Sequence, residues 1–143
     1  MDNKELLISI YQNTSTALQS INDLIKKTDD KQFKDLLNAQ YKRYDDFQAK
    51  VEKQALSQQI ELKDNNWFEK AKLWSSVQMS TLADNSTRHL AELMLVGTVM
   101  GTLTCYKNKV DYKDATGSSL QLLAELEKME EQNYEELKKY LKG

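Results

Sequence analysis

The sequence predicts an all-α protein in which four long helices form an antiparallel bundle. The 143 residues include no proline, so no apolar segment is interrupted by a residue that breaks helices. Four segments repeat their apolar residues at alternating spacings of four and three, which places them on one helix face. Nowhere do apolar and polar residues alternate over the length of a strand. The length favours a single domain covering residues 1–143.

The first predicted helix runs from about residue 3 to residue 27. Asp2 and Glu5 have the spacing of a capping box, in which two side chains satisfy backbone N–H groups at the start of a helix. The residues expected on its buried face are Leu7, Tyr11, Thr14, Leu18, Ile21 and Ile25.

The second predicted helix begins after the polar break Thr28-Asp29-Asp30. Asp29 and Gln32 repeat the capping-box spacing, and the break is so short that the first two helices must run antiparallel. Its expected buried residues are Phe33, Leu37, Gln40, Tyr44, Phe47 and Val51.

A shorter third helix is predicted after the polar residues 63–66, with Asn66 as its cap. It lies between the second and fourth helices of the chain. Its apolar stripe contains Trp67, Ala71, Trp74, Val77 and Leu82. Because aromatic residues are common at interfaces, Trp67 and Trp74 are expected to cover one end of the bundle or to form a homo-oligomer contact.

The fourth predicted helix follows a cap at Asn85, Ser86 or Thr87. Its expected buried face consists of Leu90, Met94, Gly97, Gly101 and Thr104. Glycine within a helix costs roughly 1 kcal/mol relative to alanine. Gly97 and Gly101 are therefore expected to make room for an aromatic ring of Trp74, Tyr44 or Phe47, or else for a small apolar ligand.

The last predicted helix starts between Asp111 and Ser118, with Gly117 as a weak point. Its expected apolar positions are Leu120, Leu123, Leu126, Leu137 and Leu141. Polar residues interrupt the buried stripes, and the sequence leaves open whether they meet in one layer. They are Thr14, Gln40, Thr98, Thr104, Glu130 and Asn133.

Composition excludes several classes of function. Twenty basic and 22 acidic residues give a net charge of −2, which does not suit a nucleic-acid-binding protein. No apolar run approaches the roughly 18–20 residues of a membrane span, and the N-terminus does not have the pattern of a signal peptide. Cys105 is the only cysteine and is expected to be a structural thiol. A cytoplasmic location is predicted, without membrane or nucleic-acid partners.

The order of two long helices, a short helix and two long helices resembles the ferritin-like superfamily. The segment His89-Leu90-Ala91-Glu92-Leu93-Met94-Leu95-Val96-Gly97-Thr98-Val99-Met100-Gly101 resembles small bacterial members of unassigned function. The di-iron members place a Glu on each of two helices and Glu-x-x-His on each of the other two. Here Thr14 and Gln40 occupy the corresponding positions, and one histidine cannot supply two such motifs. The resemblance therefore implies the bundle fold without the di-iron cofactor.

The sequence thus favours a non-enzymatic bundle that acts through protein interaction or small-ligand binding, with no cofactor and no catalytic residues. The alternative is a metal-binding protein that uses a carboxylate-rich site. Its candidate ligands are Glu130, Glu127, Glu92 and His89. Among the glutamates of the last helix, only Glu130 is expected near the buried face.

Overall fold

The structure, a computed structural model, describes residues 2–62 and 86–142. These residues form four α-helices and a terminal 3₁₀ helix, with no strand among them, which confirms the all-α prediction. The elements are α1 (Asp2–Ile25), α2 (Lys31–Ser57), α3 (Thr87–Asp111), α4 (Gly117–Lys138) and the 3₁₀ helix Lys139–Lys142. The predicted short helix with Trp67 and Trp74 lies outside the described residues.

Two helices begin at side-chain caps. The Ser86 hydroxyl accepts a hydrogen bond from the backbone N–H of His89 at 3.2 Å, and Ser86 is one of the three residues predicted as the cap at the start of α3. The cap of α2 is Asp30, whose carboxylate accepts from the N–H of Phe33 at 2.9 Å. The prediction of Asp29 as this cap was wrong by one residue, because Asp30 still has extended backbone angles and Lys31 is the first helical residue.

Two side chains at the start of α1 accept hydrogen bonds from the connection between α3 and α4. Asp2 is already helical, and its carboxylate accepts from the N–H of Asp114 at 3.0 Å. Asn3 accepts from the N–H of Thr116 at 2.9 Å. The predicted capping role of Asp2 was therefore wrong, since its side chain serves another segment of the chain.

Hydrogen bonds and ion pairs join neighbouring helices. Between α1 and α3, Ser9 contacts Asn108 and Asn13 contacts Gly101. Between α2 and α4, Arg43 pairs with Glu136 and Lys50 pairs with Glu125. The helix α1 also packs on α2, and α3 packs on α4. Among residues 2–62 and 86–142, no helix has both the length and the apolar composition of a membrane span.

The buried face of α2 is the predicted one, with all six predicted residues buried. In α1, Leu18 and Ile25 are only half-buried. In α4, Leu120 is exposed, and Leu141, which lies in the 3₁₀ helix after α4, is half-buried. The remaining predicted residues of these two helices are buried: Leu7, Tyr11, Thr14, Ile21, Leu123, Leu126 and Leu137.

The predicted face of α3 needs correction. Gly97 is exposed and Thr104 is only half-buried, whereas Leu90, Met94 and Gly101 are buried as expected. The other residues of the true buried face are Ala91, Leu95, Thr98, Cys105 and Asn108. The register differs because α3 has apolar residues on all sides, so that the spacing alone does not select the inward face.

Candidate functional site

A carboxyl group lies in the centre of the four helices. Glu130 on α4 is only 1 % exposed, and the Tyr44 hydroxyl donates a hydrogen bond to its Oε1 at 2.9 Å. Its Oε2 accepts no hydrogen bond from the described residues. Burial raises the pKa of Glu130 to about 7, although the Tyr44 hydrogen bond acts in the opposite direction. This carboxyl group therefore changes its charge near neutral pH.

Gly101 allows α3 to approach this carboxyl group. A Cβ atom at residue 101 would lie 3.3 Å from Cδ and Oε1 of Glu130 and 3.1 Å from Oδ1 of Asn13. Asn13 also donates a hydrogen bond to the Gly101 carbonyl at 3.2 Å. The prediction that Gly101 faces Tyr44 or Phe47 was wrong, because a carboxyl group and an amide fill the space, and Trp74 lies outside the described residues. Gly97 has open space around it.

Cys105 is fully buried on the same side of α3. Burial raises the pKa of its thiol to about 12, and the charges of Glu130 and Glu127 act in the same direction. Since the thiolate is the reactive form of cysteine, this thiol is inert near neutral pH. The Cys105 side chain therefore serves to fill space in the core.

Three of the polar residues that interrupt the buried stripes, Thr14, Gln40 and Asn133, take part in hydrogen bonds between helices at two places. Gln48 donates to the Thr14 hydroxyl at 3.0 Å, which joins α2 to α1. Between α2 and α4, Gln40 donates to the Asn133 carbonyl at 3.4 Å and to Glu136 at 3.2 Å. The prediction had listed these residues without their partners, Gln48 and Glu136.

An ion pair lies at the second of these places. Arg43 donates two hydrogen bonds to the carboxylate of Glu136, at 2.8 and 3.1 Å. This guanidinium holds the pKa of Glu136 below its usual range. Both side chains are about one-quarter exposed, so the pair lies at the edge of the interior and neutralises its own charge.

The four candidate metal ligands are not brought together. His89 and Glu92 lie near each other at the start of α3, with 3.7 Å between Nδ1 and Oε2. Glu127 forms an ion pair with Lys109 at 2.7 Å. Glu130 contacts Gly101, nine residues and therefore about 13 Å along α3 from Glu92. Within residues 2–62 and 86–142, no three His, Cys, Asp or Glu side chains are grouped to hold a metal ion.

A second feature lies on the opposite side of α3, where large apolar side chains point outward. We call these residues the outer face of α3: Val96, Val99, Met100, Leu103, Tyr106 and Val110. Each of them is at least 50 % exposed. Except for Met100, they repeat at spacings of three and four, which is the spacing of residues that pack against another helix.

The outer face of α3 is unusual for this molecule. The other exposed large apolar side chains of the described residues are Leu56, Leu120 and Tyr134, which lie singly on other helices. A helix that is apolar on all sides is normally buried on all sides. Sequence reasoning missed the outer face, although the spacing of Val96, Val99, Leu103 and Tyr106 was a usable signal.

Comparison with known proteins leaves the family open. No family model matches the chain, and no curated protein or solved structure matches it. A function has to be argued from a site rather than from a fold in any case. This chain has two candidate sites: the buried centre at Glu130 and the outer face of α3.

Proposed function

We propose that this chain is a non-enzymatic, ferritin-like antiparallel four-helix bundle of the cytoplasm that acts through protein interaction. The outer face of α3 is the surface through which it acts, and the occupant is an apolar helix of a protein chain. The observation that carries the proposal is the row of exposed apolar side chains from Val96 to Val110.

The contacts between helices support the antiparallel arrangement. Contacts that run in opposite directions join α1 to α3 and α2 to α4. Leu62, after α2, lines the same cleft as Tyr112, which follows α3, whereas Ser86 caps the other end of α3. The end of α2 therefore lies at the opposite end of the bundle from the start of α3. This order of helix ends is that of ferritin-like bundles.

The size of the outer face supports a protein partner. Six large side chains, each at least half exposed, present on the order of 600 Å² of apolar surface. The spacing of three and four fits a helix whose own side chains fill the gaps between these residues.

The buried centre supports a structural role for the interior. Glu130 is enclosed between α2, α3 and α4, and Cys105 is protonated near neutral pH. The alternative metal site would need Glu130, Glu127, Glu92 and His89 to converge. Glu127 is paired with Lys109, and Glu92 lies about 13 Å along α3 from the contact of Glu130. These contacts favour the interaction hypothesis over the metal site.

A photo-cross-linking amino acid in place of Leu103 tests the proposal in the cells that produce the protein. The expected result is a discrete covalent product with one protein, because the side chain at residue 103 would lie within the interface. The matched control places the same amino acid at Leu56, which is 78 % exposed on α2 and lies outside the outer face of α3. Absence of any intermolecular product from residue 103, or equal products from both positions, contradicts the proposal.

A further inference from the structure

We propose that the occupant of the outer face of α3 is the same face of a second copy of this chain, packed antiparallel across a two-fold axis. This inference rests on the proposed function and names its partner. It is carried by the area, the spacing and the size pattern of the exposed side chains.

The area is suited to a symmetric dimer. Standard protein interfaces bury about 800 Å² on each partner, with an apolar centre and a polar rim. The outer face of α3 supplies on the order of 600 Å² of apolar surface in one continuous row. Glu92 continues this row at its N-terminal end, where it would face Val110 of the partner subunit, and Lys107 lies beside the row; both are exposed and would belong to the rim.

The spacing is suited to a copy of the same helix. A two-fold interface uses the same surface on both partners, so the surface must complement itself. Val96, Leu103 and Val110 occupy one position of a heptad repeat, and Val99 and Tyr106 occupy the other. In an antiparallel pair these two kinds of position face each other in every layer.

The sizes of the side chains select the antiparallel direction and its register. With the axis beside Gly101, Val96 faces Tyr106 of the partner subunit and Val99 faces Leu103 of the partner subunit. Each layer then combines a smaller side chain with a larger one. A parallel pair would instead place Tyr106 against Tyr106 of the partner subunit and valine against valine, which overfills one layer and leaves space in the others.

Electrostatic interactions also favour antiparallel pairing of the two α3 helices. Antiparallel helices place the positive end of one helix dipole beside the negative end of the other. The register also brings Glu92 within about one helical turn of Lys107 of the partner subunit. In a parallel pair, Lys107 would approach its own copy.

Sedimentation equilibrium of the full chain tests the dimer. The wild-type protein should have twice the mass of 16.6 kDa at tens of micromolar. Leu103→Glu should raise the dissociation constant at least 100-fold, while Leu56→Glu, an equally drastic change at an exposed leucine of α2, should leave it unchanged. A wild-type mass of one chain up to millimolar concentration overturns the proposal.

Because Leu103 is about half exposed, Leu103→Glu should keep the helical circular dichroism of the wild type. If this variant does not fold, Met100→Lys provides the same test at the proposed axis. A folded Met100→Lys protein that remains dimeric with an unchanged dissociation constant overturns the proposed interface.

Cross-linking through introduced cysteines tests the direction of pairing. Met100→Cys, beside the axis, should give covalent dimers with a short bis-maleimide, because the two residues are offset by only about 3 Å along the helices. Val110→Cys should not, because the antiparallel register separates the two copies of residue 110 by about 27 Å. Cys105 is fully buried and does not compete. Cross-linking at residue 110 that equals or exceeds that at residue 100 overturns the antiparallel arrangement.

The failure of this inference is distinguishable from the failure of the proposed function. A monomeric chain whose residue 103 cross-links to a protein of another mass overturns the second copy and leaves the proposed function standing. A monomeric chain whose residue 103 gives no intermolecular product overturns both.

Discussion

Glu130→Gln is expected to be more favourable for the stability of the chain at about pH 8 than at about pH 4. The pKa of Glu130 is raised by burial from 4.5 to about 7 in the folded protein. The folded state therefore binds this proton more tightly than the unfolded state does. Stability from this group is fully present below pH 4.5 and is lost as the pH rises through about 7.

The magnitude follows from the size of the pKa change. A rise of about 2.5 units at about 1.36 kcal/mol per unit gives roughly 3 kcal/mol of lost stability once the carboxyl group is ionised. Solvent does not screen this effect, because Glu130 is only 1 % exposed. Glutamine has nearly the same shape, accepts the hydrogen bond of Tyr44 and carries no charge. An unpaired amide N–H of the new side chain would reduce the gain by about 1–3 kcal/mol at every pH.

The assay is urea denaturation of wild type and variant at several pH values and one fixed protein concentration, since association also changes apparent stability. The difference between the two free energies of unfolding should grow by about 3 kcal/mol from about pH 4 to about pH 8. Glu131→Gln, at the exposed neighbouring position, should show no such growth. A Glu130→Gln difference that is independent of pH would refute the reasoning, because it would mean that residue 130 does not take up its proton within the fold.

Three further changes are expected to alter the free energy of unfolding measured in the same way. Gly101→Ala should destabilise by about 1–3 kcal/mol, because its Cβ would be 3.1–3.3 Å from neighbouring side-chain atoms. Gly97→Ala, in open space, should stabilise by about 1 kcal/mol. Equal effects of the two substitutions would contradict the corrected register of α3. Gly117→Ala should destabilise by about 1–2 kcal/mol because φ is +58° at this residue, and a neutral result would contradict this backbone conformation. Asp30→Ala should cost about 1 kcal/mol through loss of the cap of α2, while Asp29→Ala should be close to neutral; the reverse order would restore Asp29 as the cap.

The sequence predicted the fold best where one helix face is apolar and the other is polar. The helix α2 is such a case, and its predicted buried residues from Phe33 to Val51 are all buried. The helix α3 is the opposite case. Its apolar residues surround the whole helix, so the pattern fits several registers, and only packing against α1 and α4 selects the one that buries Thr98 and Cys105.

Local features at helix ends were predictable only within a residue or two. Asp29 and Asp30 have the same side chain, and the choice between them depends on which residue keeps extended backbone angles. Gly117 is the first residue of α4 and has a left-handed φ. No pattern of residues in the sequence predicts this φ. Gly117→Ala, which would be nearly neutral or mildly stabilising at an ordinary helical position, is unfavourable in this conformation.

The candidate sites were likewise predictable from the sequence only in part. Glu130 was recognisable from sequence as the one glutamate of α4 near the buried face, but its partner Tyr44 lies 86 residues away and is brought to it only by the packing of α2 on α4. The outer face of α3 follows from spacing alone. It was overlooked because a single apolar stripe was assigned to the helix, and its exposure became apparent only when the inward face was known.

Thiol labelling at residue 103 tests whether the outer face of α3 is covered by protein when the chain acts. Leu103→Cys and the control Leu56→Cys are treated with a maleimide, first in dilute purified protein and then in intact cells. Both thiols should react rapidly in dilute solution, since both side chains are exposed there. In cells, only the thiol at residue 103 should react at least tenfold more slowly relative to the control. Equal reaction rates of the two thiols in cells would contradict the proposed coverage of this face.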